Sequence, residues 1–128
     1  MFSHVMLGVS DLEKSKEFYD AVLGTLGMRP GVAHLDRYFW HSRNGSFAIS
    51  TPINGEPACH GNGSTLGFLA DSPEKCNAFH EAGIAHGGTT CEDPPGLREG
   101  PGGALYMSYL RDPDGNKICA LHRPAAGG

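Results

Sequence analysis

The first residues of the chain alternate between two kinds of side chain. Val5, Leu7 and Val9 would lie on one face of an extended strand, and His4 and Met6 would lie on the other. Such alternation is typical of a strand that packs on a core through one face. The pattern therefore predicts a strand over residues 2–9 with His4 on the face that points away from the core.

A helix is predicted directly after this strand. The residues Ser10-Asp11-Leu12-Glu13 form a capping-box pattern, and apolar side chains then recur at helical spacing as far as Leu26. Tyr19 belongs to this apolar series, which predicts that it packs in the core. The helix should end between Gly24 and Gly27.

The same order of elements returns later in the chain. Residues 64–70 have the pattern of a strand, and Asp71-Ser72-Pro73-Glu74 is typical of a helix start with proline in the first turn. Matching residues lie 61 positions apart: Glu13 and Glu74, Lys14 and Lys75, Phe18 and Phe79, Ala21 and Ala82, Gly27 and Gly88. A register kept across a strand and a helix indicates a duplicated module.

Each module is expected to contain three more strands after its helix, giving a βαβββ order. The predicted strands span 28–34, 38–42 and 46–51 in the first module and 85–91, 104–111 and 117–122 in the second. We expect a single domain with module one at 1–51, a Gly- and Pro-rich linker at 52–63, and module two at 64–124. Residues 92–103 form a long loop, either a flap over a binding site or an insertion without a ligand role.

Composition narrows the range of functions. Ten Lys and Arg against 14 Asp and Glu give a formal charge of −4, so the chain has no excess of basic residues for nucleic acid. The first residues carry no charged leader, and no apolar run reaches ~18 residues, which predicts neither secretion nor membrane insertion. The four cysteines form no CxxC pair, and we expect reduced thiols in a cytoplasmic protein.

Three segments carry a resemblance to a known family. They are FSHVMLGVSDLEKSKEFYDAVLGTLGM at the start, GNGSTLGFLADSPEKCNAFHEAGIAHGG at the second module, and YLRDPDGNKICALHRP near the end. The chain resembles the vicinal oxygen chelate superfamily, which includes glyoxalase I, bleomycin-resistance proteins and extradiol dioxygenases. The resemblance implies an α+β fold of two tandem βαβββ modules whose mixed sheets curl into a cup. The DPDGN segment is expected to be a structural turn.

The resemblance also implies where a metal would bind. Metal-dependent members take ligands from the first and last strands of each module, and those positions are occupied here by His4, Ile49, Thr65 and Cys119. Only His4 matches the usual His and Glu set. Cys119 would be a soft thiolate suited to zinc, and His60 in the linker is a further candidate. We therefore expect an incomplete site that holds at most a weakly bound divalent metal.

Other residues are candidates for contact with a small molecule in the cup. They are Trp40, Thr65, Arg98, Tyr106 and Tyr109, which offer aromatic surfaces, hydroxyl groups and a cation. Which aromatic residues face the cup depends on the strand register, which the sequence leaves open.

Two functions are consistent with this pattern. One is a glyoxalase-like lyase or a dioxygenase-family enzyme in which His4 and Cys119 act as catalytic groups. The other is a metal-free protein that binds or sequesters a small molecule without changing it. In either case a homodimer is expected, because open sheets leave edges and apolar faces that a second copy would cover.

Overall fold

The computed structural model describes residues 1–124 and contains two helices and two mixed sheets. The first half contains β1 (His4–Gly8), α1 (Leu12–Gly24), β2 (Val32–His34), β3 (Arg37–Ser42) and β4 (Gly45–Ser50). The second half contains β5 (Leu66–Leu69), α2 (Pro73–Ala85), β6 (Thr89–Thr90), β7 (Gly96–Gly100), β8 (Gly103–Arg111) and β9 (Lys117–His122). Neither helix within residues 1–124 has the length and apolar character needed to cross a membrane.

The two sheets share one strand order, which confirms the predicted duplication. In the first sheet the order is β1-β4-β3-β2, and β1 runs parallel to β4. In the second it is β5-β9-β8-β6, with β5 parallel to β9 and with β7 added on β8. The two helices have 13 residues each, and they begin 61 residues apart, at Leu12 and Pro73. The paired βαβββ architecture is therefore present.

Both helices begin at polar caps, although the first starts one residue later than the capping-box pattern predicts. Asp11, not Ser10, is the N-cap of α1, and its carboxylate accepts a hydrogen bond from the Lys14 backbone N–H. The Ser10 hydroxyl instead accepts a bond from the Ala58 N–H in the linker. In α2 the Ser72 side chain caps the first turn, as predicted.

The helices cover one side of the sheets, and the aromatic core lies there. Tyr19 of α1 is fully buried and packs against Phe47 of β4, with ring centroids 4.8 Å apart. Phe47 in turn packs edge-on against Phe68 of β5 at 5.3 Å, which joins the cores of the two modules. The predicted core role of Tyr19 is confirmed. We call the opposite side of the sheets the open face; it carries alternate strand residues such as His4, Met6, Gly67 and Cys119.

Two of the predicted elements are wrong in the second module. The predicted strand over 85–91 is mostly the end of α2 and a turn through Gly87, whose φ of +98° suits glycine, and only Thr89–Thr90 pair as a strand. The predicted loop over 92–103 contains β7, which forms a hairpin with β8. Gly103 has a φ of +113° at that turn, so the hairpin extends the sheet where an irregular loop was expected.

The edge strands β1 and β5 belong to different sheets, and residues of both line the space between them, which we call the seam. One end of the seam is closed by the Asp112–Asn116 turn. The Asn116 side-chain amide donates to the Gly8 carbonyl at 3.1 Å, and the Ser10 backbone N–H donates to the Asp114 carboxylate at 3.0 Å. Asp112 and Asn116 at the ends of the turn are buried and hydrogen-bonded to each other, in keeping with its predicted structural role.

Candidate functional site

A cavity with a volume of about 580 Å³ opens at the other end of the seam. It lies where the start of β1, the β3–β4 hairpin, β5 and the segment after α1 come together. Its lining is Phe2, Ser3, His4, Val5, Leu26, Met28, Ser42, Asn44, Gly45, Ser46, Phe47, Leu66, Gly67, Phe68 and Leu69. We call it the seam cavity. Its size falls within the usual range for small-molecule sites.

His4 is the titratable side chain on the wall of the seam cavity. It is exposed on β1, and its Nδ1 lies 2.8 Å from the Ser3 hydroxyl oxygen. Ser46 stands directly beside His4 in the parallel pairing of β1 with β4. The strand alternation places His4 on the open face because Val5 and Leu7 pack toward the helices.

Ser46 connects His4 with a second imidazole. His41 of β3 is opposite Ser46 in the antiparallel pairing, and its Nδ1 lies 2.7 Å from Ser46 Oγ. His4, Ser46 and His41 thus form one row across three neighbouring strands on the open face. The Ser46 hydroxyl therefore contacts the His41 imidazole and lies beside His4. This arrangement can exchange hydrogen bonds and protons with a bound molecule.

Thr65 lies in a second, smaller cavity of about 380 Å³ further along the seam. This cavity shares Val5 and Leu66 with the seam cavity, so the two are neighbouring parts of the same space. Lys117 also lines it. Thr65 is exposed and offers a hydroxyl group at the position equivalent to His4.

The second sheet carries a cluster of aromatic and charged side chains on its open face. Lys117 Nζ lies 5.0 Å and Arg98 Cζ lies 5.9 Å from the centroid of the Tyr109 ring. Lys117 also forms a salt bridge with Glu92. Arg98 and Tyr109 are therefore brought together, as part of one cation–π cluster. Burial is the main cause that raises the pKa of Tyr109.

Cys119 lies under this cluster, next to Gly67 and Tyr109 in the strand pairing. Its side chain faces the same way as Gly67, where an added Cβ would come within 3.2 Å of the sulfur. Only 3% of the residue is exposed, and this burial raises the pKa of the thiol to about 11. The expectation of a reactive thiolate is corrected, because a thiol with this pKa is almost entirely neutral near neutral pH.

Trp40 and Tyr106 face the helices and do not face the cup, which corrects the expectation that they contact a ligand. Trp40 is 1% exposed, and its indole N–H donates to Asp20 of α1 at 3.0 Å. The Tyr106 hydroxyl donates to the Asn77 side chain of α2 at 2.9 Å. Along their strands Trp40 and Tyr106 alternate with residues of the open face, so a shift of one residue in the strand pairing would move them to the other face.

His60 lies at the far end of the seam, against the buried turn. A Cβ at Gly115 would come within 2.8 Å of His60 Nδ1, so this imidazole packs over the turn. His60 belongs to neither of the two cavity linings, and His4 lines the larger one. The structure therefore places His60 and His4 in different surroundings.

The ligand position expected at Ile49 of β4 is wrong, and the equivalent residue is Ala48. In the parallel pairings Gly67 is opposite Cys119, and Met6, its equivalent in the first module, is opposite Ala48. Ala48 is thus the counterpart of Cys119, whereas Ile49 is fully buried in the core on the helix side. Ile49 and Cys119 both lie four residues after a turn glycine, but the two glycines are not equivalent, because Gly45 already belongs to β4 while Gly115 precedes β9 by two residues.

These residues do not fit a resident metal ion. The four equivalent positions offer one imidazole from His4, a neutral buried thiol from Cys119, a hydroxyl from Thr65 and no donor from Ala48. Within residues 1–124, no three side chains of His, Cys, Asp or Glu come together in a way that could hold a metal ion. A catalytic zinc site normally uses three protein ligands.

Several contributors to the seam cavity were missed by sequence reasoning. Ser42, Asn44 and Ser46 come from a hairpin whose sequence indicates a turn and nothing more. Ser46 could have been found from the alternation in β4, because it precedes the buried Phe47 by one residue. Leu26 and Met28 follow α1 in sequence, and only the packed structure brings them to the cavity.

Comparisons with known proteins agree with this architecture. A crystal structure of a glyoxalase/bleomycin resistance protein from Albidiferax ferrireducens T118 is 73% identical, with a TM-score of 0.94 over 96% of this chain and 99% of that one. A glyoxalase-related enzyme from Fulvimarina pelagi, 22% identical, has the same fold with a TM-score of 0.73 over 100% of this chain and 94% of that one.

A curated relative from Haemophilus influenzae, named lactoylglutathione lyase, is 30% identical over 120 residues, which are 90% of this chain and 87% of the relative. The family model described as Glyoxalase/Bleomycin resistance protein/Dioxygenase superfamily matches residues 1–120. The chain therefore belongs to the glyoxalase/bleomycin resistance protein/dioxygenase superfamily.

Proposed function

We propose that this protein binds or transforms a small metabolite in the seam cavity, with His4 as the polar group that contacts it. The observation that carries the proposal is the cavity of about 580 Å³ with His4 on its wall. A concave, mostly apolar site with a few polar groups is the usual form of a small-molecule site. The superfamily membership supports the same class of ligand.

As an enzyme, the protein would use its own side chains for proton transfer. Because Nδ1 of His4 faces the Ser3 hydroxyl, Nε2 is the nitrogen available to a ligand. That imidazole would act as general base or acid, and the Ser46 hydroxyl held by His41 would donate or accept a hydrogen bond beside it. We propose lyase-type chemistry on this basis, since the relative from Haemophilus influenzae carries the name lactoylglutathione lyase.

A second candidate function is binding without chemistry, as in resistance-type proteins that sequester a compound. It is favoured by the donor set at the equivalent ligand positions, where Ala48 and Thr65 stand in place of strong ligands. The proposal gives Cys119 no catalytic role, because its side chain is buried and this burial raises the pKa of the thiol to about 11. The two candidates differ only in whether the ligand leaves the cavity changed.

Native mass spectrometry of untagged protein, purified without chelator or metal-affinity resin, tests the proposal. We expect an organic small molecule bound to the wild-type chain and to the His34→Ala control, whose imidazole is exposed on β2 outside the cavity. The His4→Ala variant should lose most of that ligand. Equal occupancy in all three proteins would contradict a site at His4. Comparison of the ligand before and after incubation separates turnover from sequestration.

We also propose a homodimer in the cytoplasm. Large apolar side chains are exposed on the open face, namely Leu69 at 71% and Met6 at 36%, and a second copy would cover them. All four cysteines are free, which suits a reducing compartment. Sedimentation equilibrium should give twice the chain mass of 13.6 kDa at micromolar protein concentration. A monomer throughout that range would contradict the dimer.

A further inference from the structure

We infer that the seam cavity takes an uncharged, largely apolar ligand with a single polar group, and not a highly charged conjugate such as a glutathione adduct. The inference rests on the proposed function, because it names the ligand class of the same cavity. The name of the relative from Haemophilus influenzae, lactoylglutathione lyase, would instead suggest a glutathione conjugate as the ligand.

The two ends of the seam differ. At one end the Asp112–Asn116 turn reaches across to module one, where Asn116 bonds the Gly8 carbonyl and Asp114 bonds Ser10. In the equivalent turn of module one, Ser42–Gly45, the Ser42 hydroxyl donates to the Gly45 carbonyl at 2.7 Å. This hydrogen bond stays within the turn and does not reach module two. These hydrogen bonds between the modules therefore close one end of the seam, and we call them the lock. The other end of the seam is open.

The lining of the seam cavity, which lies within the described residues 1–124, is mostly apolar and carries no Asp, Glu, Lys or Arg side chain. The apolar part of the wall consists of Phe2, Val5, Leu26, Met28, Phe47, Leu66, Phe68 and Leu69. A charged group placed against such a wall would lose hydration without gaining a partner, which is strongly unfavourable. The wall favours hydrocarbon or aromatic groups.

The polar part of the lining is small and lies on one side. It consists of Ser3, His4, Ser42, Asn44 and Ser46, which are groups that exchange hydrogen bonds. Together they can satisfy one hydroxyl, carbonyl or amide group of a ligand whose body rests on the apolar wall. They cannot compensate the two carboxylates and the ammonium group of a glutathione moiety.

Three cations of the second sheet already have hydrogen-bond or salt-bridge partners. Arg98 donates to the carbonyl groups of Asp93 and Pro94 at 2.8 and 2.9 Å. Arg111 donates to the Gly115 carbonyl at 2.7 Å, and Lys117 is paired with Glu92. These contacts hold the three cations within the second sheet, and none of the three side chains lines the seam cavity. Arg43 is exposed in the hairpin and is not part of the lining.

Two probes distinguish the ligand classes in the full-length protein. N-phenyl-1-naphthylamine is neutral and apolar with one N–H group, and S-hexylglutathione carries an apolar tail on a charged tripeptide. We expect the neutral probe to bind with increased fluorescence and at least about tenfold more tightly than the conjugate, as measured by titration and competition. Tighter binding of S-hexylglutathione would overturn the inference while leaving small-molecule binding at this site intact.

A matched pair of variants locates the binding. Leu69 on β5 lines the cavity and Leu97 on β7 does not, and both are largely exposed in the single chain, so neither substitution disturbs its core. Sedimentation equilibrium of both variants checks that the assembly is unchanged. Leu69→Glu should weaken binding of the neutral probe by about tenfold or more, and Leu97→Glu should change it by less than about twofold. Equal effects of the two substitutions would overturn the assignment of the probe to the seam cavity. Failure of both probes to bind would overturn the inference, and native mass spectrometry of the wild-type chain then decides the proposed function separately.

Discussion

The Tyr19 hydroxyl donates a hydrogen bond of 2.6 Å to Asp112 Oδ2, and both residues are buried. This contact joins α1 of the first module to the β8–β9 turn of the second. The Asn116 amide donates to the same carboxylate oxygen at 2.9 Å, and the backbone N–H groups of Asp114 and Asn116 donate to the other oxygen. The carboxylate of Asp112 is therefore the centre of the lock that holds the modules together at one end of the seam.

Removal of the Tyr19 hydroxyl should destabilise the protein more than removal of an exposed one. Tyr19→Phe leaves a buried carboxylate with one donor fewer, and we expect a loss of about 1–3 kcal/mol in the free energy of unfolding. The control is Tyr38→Phe, which removes an exposed hydroxyl bonded to Glu13 at 2.7 Å and should cost less than about 1 kcal/mol. Urea unfolding measures both. Similar losses would show that the lock contributes no more than a surface hydrogen bond.

Two glycines at helical positions should respond in opposite ways to alanine. Gly83 lies on the buried side of α2, where an added Cβ would overlap Leu110 Cδ1, and Leu110 is itself fully buried in the core. We expect Gly83→Ala to cost about 1–3 kcal/mol because the core must repack. Gly24 ends α1 with open space around its Cα, so Gly24→Ala should stabilise the protein by a few tenths of a kcal/mol up to about 1 kcal/mol.

Thermal or urea unfolding of the two glycine variants gives the comparison directly. If Gly83→Ala were as stable as the wild type, the close packing of α2 on β8 described here would be incorrect. If Gly24→Ala were destabilising, the backbone at the end of α1 would require glycine for a reason other than space.

Repetition in the sequence made the helices and the module order predictable. Phe18 and Phe79, at equivalent positions, are both fully buried, because each helix needs one large anchor against its sheet. Alternation in β1 also placed His4 correctly on the open face. These features depend on local patterns, which a single sequence displays.

The site was harder to predict because it depends on register between strands. Ile49 and Ala48 exchange faces if the count shifts by one residue, and only the pairing with β1 fixes that count. Trp40 was misplaced for the same reason. The seam cavity itself is formed by the distance between β1 and β5, which is set by packing across modules and leaves no local signal.

The thiol of Cys119 should make stability depend on alkaline pH. Its pKa in the folded state is raised from 9.0 to about 11 by burial. A raised pKa for an acid means that the folded state holds the proton more tightly, so its contribution is complete below pH 9 and is lost as the pH rises toward 11. Two pKa units correspond to about 2–3 kcal/mol.

The measurement compares the wild type with Cys119→Ala in urea at several pH values between about 8 and 11. The wild type should lose about 2–3 kcal/mol relative to the variant over this interval, whatever the offset between them at the lower end. Cys59→Ala, at an exposed cysteine, serves as the control and should run parallel to the wild type. A constant difference between wild type and Cys119→Ala would contradict a buried, neutral thiol.

Metal affinity should be weak in the natural chain and should rise when donors are restored. His4 is a strong ligand, Thr65 and Ala48 are not, and the Cys119 thiol must lose a proton against a pKa of about 11 before it can bind a cation. We expect no submicromolar binding of zinc or nickel by calorimetry.

The double variant Thr65→His with Cys119→Glu adds an imidazole and a carboxylate to His4, which makes three donors and should raise the affinity measurably. Adding His4→Ala to this double variant should remove the gain, because two donors remain. The prediction is wrong if the natural chain binds one metal per chain with submicromolar affinity and His4→Ala abolishes that binding.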